Sequence, residues 1–106
     1  MEQCRAVSHS DARLTWVSDE FLLQKQIAPW SEIPLWIPET MRELEGFMFL
    51  DCSKALTAGL QLRPVSQTIQ NVLSWDKIHR SQEKLKAGLD FDRERHLLDE
   101  WHEIQK

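Results

Sequence analysis

Val65, Ile69, Val72 and Leu73 recur at i, i+4, i+7 and i+8, the spacing that places side chains along one face of an α-helix. Trp75 lies on the same side as Val72 and widens that stripe. Pro64 stands where such a helix starts, a position at which its missing N–H costs nothing. A second stripe runs through Leu97, Leu98, Trp101 and Ile104, inside an amphipathic C-terminal segment, 89–106. Asp90 can cap that helix, and Asp92 and Glu94 suit the positive end of its dipole. A third, shorter helix is expected after Ser18, a good cap, with Asp19 and Glu20 in its first turn and Leu22, Leu23 and Ile27 on its buried side. Pro29 closes it. The opening "MEQCRAV" is helical in composition but too short to stand alone, since isolated helices need about 12–15 residues. A helix beginning at the first residue is what a chain starting inside a longer structural pattern would show, and an ordinary frayed terminus explains it almost as well.

Other stretches change period. "RLTWV" from Arg13 alternates, with Leu14 and Trp16 on one face, and reads as a half-buried strand. "GFMFL" from Gly46 to Leu50 reads as a buried strand, and "LQLR" from Leu60 as one with two inward leucines. Between Ala28 and Pro38 the text is "APWSEIPLWIP". Its three prolines bias their predecessors towards extended geometry, so an ordered, irregular segment is expected, with "LWI" as a short edge strand. "ETMRELE" reads as a loop or single helical turn. Asp51 suits the N-cap of a helix over "CSKALTA", and Gly59 the left-handed residue that ends it. The pattern therefore predicts an α+β fold: one small domain, 1–106, of three to four helices with a short-stranded sheet.

Charge narrows the function classes. Thirteen Lys and Arg are scattered among seventeen Asp and Glu, for a net charge of −4, and no two Lys or Arg are adjacent. No basic patch of the kind nucleic acids need is visible, so no nucleic-acid partner is expected. No apolar run approaches the roughly 18 residues of a membrane span, and the first residues hold no signal-peptide core. No membrane partner and a cytoplasmic location are the expectations. Cys4 and Cys52 are too few for a disulfide framework and read as buried thiols.

Catalytic signatures are sparse. Gly46, Gly59 and Gly88 are isolated, so no phosphate-cradling loop exists. His96 and His102 stand six apart, about 240° around a helix, and cannot share a metal locally. His96, Glu100 and Glu103 share a face opposite the leucine stripe, which reads as solvated surface. Ser8, Ser10, Ser53 and the cysteines lack a nucleophile elbow, and Lys54 reads as an exposed helix lysine. Neither a catalytic residue nor a metal ligand is assigned. The remaining candidates are Trp30 and Trp36, with Arg42 near them in sequence. The indoles either plug a small core or form a wall facing a ligand or partner.

"LDCSKALTAGLQLRPVSQTIQNVLSW", Leu50 to Trp75, resembles the C-terminal signature of the NAD-dependent epimerase/dehydratase family, the extended short-chain dehydrogenases. Asp51, Ser53, Lys54, Ala55, Gly59, Leu60, Pro64 and Trp75 follow the family's order. Upstream, "CRAVSHSDARLTWVSDEFL" and "PWSEIPLWIP" resemble a subgroup of reductases. The resemblance implies the C-terminal third of a family member, the substrate-binding lobe, with Trp30, Trp36 and Arg42 shaping the pocket. Family members bind NAD(P) in a Rossmann domain with a Gly-rich loop and a catalytic Tyr-x-x-x-Lys. This chain has no Tyr at all, so no cofactor binding and no catalysis are expected of it alone. The implied partner is a separate Rossmann-domain chain or further copies in a homo-oligomer. The rival reading is a free-standing interaction or homodimerising module without enzymatic activity.

Overall fold

The computed structural model describes residues 1–80 and 86–106. Among these residues five α-helices appear in order: α1 (Glu2–Ser8), α2 (Asp19–Gln24), α3 (Ser53–Thr57), α4 (Val65–His79) and α5 (Phe91–Gln105), with a 3-10 turn at Arg42–Leu44 between α2 and α3. Among the described residues there is no sheet. The one β-type pairing is an isolated bridge between Pro29 and Ile33. The expected α+β fold is thus corrected to a mostly helical one.

The four expected strands fail for local reasons. "RLTWV" and "LQLR" form no strand and pair with no neighbour among the described residues. "GFMFL" begins as a turn: Gly46 takes φ 79 and the Phe47 N–H donates to the Leu44 carbonyl at 3.0 Å. Within "LWI", Leu35 sits at φ 66, outside the β region. Alternation and apolar runs measure a preference for extended backbone, but a ladder also needs a partner with free hydrogen-bonding groups.

The helix ends follow the expected chemistry more closely. Ser18 Oγ accepts from the Phe21 N–H, and Asp90 Oδ1 accepts from the Asp92 N–H at 3.1 Å. Asp51 acts one residue earlier than a standard cap: its Oδ1 accepts from the Ser53 N–H at 3.0 Å while Cys52 holds the cap position. After α3, Gly59 takes φ 102, its N–H reaching the Leu56 carbonyl and the Leu60 N–H the Ala55 carbonyl. This is the paired C-terminal motif that a glycine allows without Cβ strain. The same two bonds close α2, with Gln26 in the left-handed position and the Ile27 N–H reaching the Leu22 carbonyl at 3.0 Å.

The chain divides into two compact units. One holds Thr15–Phe47 and α5. Its core is Phe21, Leu22 and Ile27, with Val17, Ile33, Trp36, Leu89, Leu97 and Trp101 packed against it. The motif that closes α2 builds this core directly, because it brings the residue after the left-handed one against the helix's last turn. Ile27 is accordingly only 2% exposed. Phe21 meets Trp101 of α5 with ring centroids 5.1 Å apart, and Lys25 Nζ sits 5.5 Å from the Phe21 ring centre. Arg93 pairs with Glu32, and Lys25 with Glu100, at partly exposed positions where each contributes little, about 0–1 kcal/mol.

The other unit holds Met1–Leu14 and the chain from Met48 through α4. Here α1 packs against α4, yet none of the described residues is buried. At about 100° per residue, Ile69 and Leu73 lie on one flank of the α4 stripe and are half-buried. Val65, Val72 and Trp75 on the other flank stay exposed, Trp75 at 61%. The stripe is helical as expected, but half of it faces solvent. Cys4 and Cys52 are both free and exposed, not buried thiols, because this unit has no interior to receive them.

Substitution at Ile27 and Val72 separates the two units. Ile27→Ala should cost about 2–5 kcal/mol in chemical denaturation, the range for a buried aliphatic. Val72→Ala should stay within about 0.5 kcal/mol, the range for a surface change.

Candidate functional site

Ala28 to Phe47 forms the best-defined surface feature, and one carboxylate fixes it. Asp19, in the first turn of α2, accepts from Trp36 Nε1 at Oδ1 and from the Glu39 N–H at Oδ2, both at 2.8 Å. Both carboxylate oxygens thus clamp the proline-rich segment to the start of α2. Inside the segment, the Ala28 N–H donates to Glu32 Oε2 at 2.7 Å while the Glu32 N–H donates to the Ala28 carbonyl at 3.1 Å. The Trp36 N–H donates to the Ile33 carbonyl, and the Trp30 N–H to the Trp36 carbonyl. Gly88, before α5, donates its N–H to the Ser31 carbonyl at 2.9 Å. The segment is therefore ordered without being a strand, because its polar backbone groups are satisfied locally.

The structure separates the three sequence candidates. Trp36 is half-buried, packs on the Phe21–Leu22–Ile27 core and spends its indole N–H on Asp19. It is a plug. Trp30 is 48% exposed, at φ 67, with its ring edge-to-face against Phe47 at 5.8 Å and an interplanar angle of 82°. It is a wall. Trp30, Ile37, Leu44 and Phe47 line an apolar cavity of about 210 Å³. Arg42 is exposed on the 3-10 turn, and its guanidinium joins no ion pair or hydrogen bond among the described residues. The Trp30 ring thus shares its hollow with Phe47, Ile37 and Leu44, while Trp36 meets it through the backbone bond and Arg42 is not among the lining residues. Phe47 was hidden inside a run that reads as a strand. The turn-forming Gly46 directly before it was the available signal.

A second cavity of about 220 Å³ lies under Thr15, Val17, Leu22, Ile33, Leu89, Leu97 and Leu98, with Glu94 among its lining. A groove of about 440 Å³ runs along α5 past Phe91, Glu94, Arg95, Leu98, Asp99 and His102. On the face that carries His96, Glu100 and Glu103, Glu100 pairs with Lys25. Among the described residues no cluster of three His, Cys, Asp or Glu side chains could hold a metal ion, and no helix is long and apolar enough to cross a membrane.

In the other unit, the Asp51 carboxyl has a displaced pKa. Hydrogen bonds from the Ser53 side chain, then from its backbone N–H, favour the charged carboxylate and hold Asp51 below its ordinary value of 3.8. Comparison with protein-family models, with curated proteins and with solved structures finds no match to this chain.

Two outcomes follow from these contacts. Trp36→Phe removes the donor to Asp19 Oδ1 and should lower stability by about 1–3 kcal/mol, whereas Trp30→Phe should change it by less than about 0.5 kcal/mol; urea titrations measure both. The Asp51 carboxyl should titrate below 3.8 by carbon-detected NMR and move back towards 3.8 in Ser53→Ala. Because the folded pKa is depressed, the carboxylate's help to the α3 start is complete above 3.8 and disappears as pH falls through the lower folded value.

Proposed function

We propose that this chain is a non-catalytic substrate-side lobe of an NAD-dependent epimerase/dehydratase or reductase, which works docked on a cofactor-binding Rossmann domain. The observation that carries the reading is the uncovered apolar surface of the α1–α3–α4 unit. Phe49, Leu50, Leu62, Val65, Val72, Trp75 and Ile78 are all exposed there. Soluble monomers rarely show contiguous apolar patches beyond a few hundred Å², and larger ones mark places where another polypeptide sits.

The surface area makes the same point quantitatively. The accessible surface is 9743 Å² for 12.5 kDa, where the scaling for compact proteins gives roughly 6,200 Å². Even two separate bodies of half the mass would expose only about 7,400 Å² in total. The excess is larger than the roughly 800 Å² that one partner contributes to a standard-size interface.

The resemblance supplies the identity of the partner. The exposed residues fall largely within or beside the stretch Leu50 to Trp75, the one similar to the family's C-terminal signature. The local devices of that stretch are formed: the Asp51–Ser53 turn, the Gly59 stop and the Pro64 start of α4. Such a lobe contributes walls to a substrate pocket, and hydride transfer belongs to the Tyr-x-x-x-Lys domain.

The direct measurement is a titration of the chain with a Rossmann domain cut from a member of that family. A saturable one-to-one complex is expected by sedimentation velocity, lost in Val72→Asp/Trp75→Asp. Absence of such a complex, with a discrete dimer of this chain that the same variant dissociates, would replace the reading with the homodimerising module.

A further inference from the structure

We propose that the corner formed by Trp30 and Phe47 is a binding site for an organic cation of the quaternary-ammonium class. The inference goes beyond the docking reading and rests on the unit that carries α2 and α5, not on the exposed face of α4.

Three observations carry it. First, the two rings meet at 82° with centroids 5.8 Å apart, so the face of one ring stands beside the edge of the other. A ring face is the negative end of its quadrupole, and methylated ammonium groups are recognised by rings set at an angle to one another. Second, the corner opens on a solvent-accessible apolar hollow of about 210 Å³ whose other lining residues are Ile37 and Leu44. A dry cavity of about 150 Å³ already takes up benzene, so a trimethylammonium head fits this one. The aliphatic walls suit its methyl groups and offer no hydrogen-bond acceptor that a primary ammonium would prefer. Third, the segment bearing the corner is acidic. Glu39, Glu43 and Glu45 are exposed around one cation, Arg42, while Glu32 is neutralised by Arg93. The surrounding field favours a soluble cation over a neutral or anionic ligand.

The backbone agrees with a dedicated corner. Trp30 holds φ 67, a conformation that bulky side chains rarely adopt and that concentrates at ligand-binding places. The Trp30–Trp36 backbone bond and the Asp19 clamp hold that geometry without help from the Trp30 ring. The ring is left free to serve as a wall. The cavity beside Leu97 has comparable volume but is lined by aliphatic side chains and Glu94 rather than by aromatic faces, so it offers a cation no quadrupole.

The test uses the full chain labelled with nitrogen-15 and two probes of one shape. Choline carries the quaternary nitrogen, and dimethylbutanol replaces that nitrogen with carbon. Choline should shift the Trp30 indole N–H saturably, with a dissociation constant in the millimolar range, and leave the Trp36 and Trp101 indoles in place. The neutral isostere should bind about fivefold more weakly or worse, the discrimination that cation–π attraction supplies at a part-exposed site. Trp30→Leu and Phe47→Leu should each remove the effect, with unchanged Trp36 and Trp101 signals reporting an intact fold. Glu43→Gln/Glu45→Gln keeps both rings and should weaken choline about twofold without altering the isostere. Equal binding of the two probes, no saturable shift, or a shift that survives both ring variants would each overturn the proposal.

Discussion

The Asp19 carboxylate is the contact on which the ordered half of this protein turns. One oxygen takes the Trp36 indole and the other the Glu39 backbone, so a single side chain in the first turn of α2 determines where a segment with three prolines lies. Charge-assisted bonds of this kind are roughly twice as strong as neutral ones. With Trp36 held, its ring roofs the Phe21–Leu22–Ile27 core and the Trp30–Phe47 corner is turned outward. Without the clamp, a segment poor in backbone donors and free of ladder partners would have little to choose one arrangement over another.

The two units differ in how they meet the entropy cost of folding. Ordering a residue costs about 1–2 kcal/mol of backbone entropy alone, and burial of apolar side chains is the main opposing term. The unit with α2 and α5 meets that cost through a small interior, ring contacts and a carboxylate clamp. The unit with α1 and α4 rests chiefly on helix hydrogen bonds and half-covered Ile69 and Leu73. Its exposed Val72 and Trp75 represent stabilisation that only another surface can supply.

Much of the local structure was legible, and the reasons are specific. Ser18 and Asp90 announce helix starts because a side-chain oxygen one step ahead of a helix has few better uses. Gly59 announces a stop because it tolerates positive φ. Both long helices follow from apolar spacing. What the pattern could not convey was partnership. An α4 stripe says which residues want cover, not whether this chain contains it, and "GFMFL" or "LQLR" expresses a preference for extended backbone, not that a neighbour pairs with it. At the site, Trp30 and Trp36 were visible as candidates, but their division of labour depends on Asp19, seventeen positions away. Arg42 belonged to the family pattern rather than to the local geometry, and it is not among the residues that line the corner.

The interleaved connectivity carries a kinetic consequence. Each unit is built from two stretches of chain with the other unit's residues between them. The ion pair from Glu32 to Arg93 spans 61 positions, and the core under Trp36 is complete only when Leu97 and Trp101 arrive. Such distant contacts slow folding, because loop closure comes before its reward. During synthesis, α2 and the proline segment must wait for α5 to be translated, leaving aromatic surface in reach of chaperones throughout that interval.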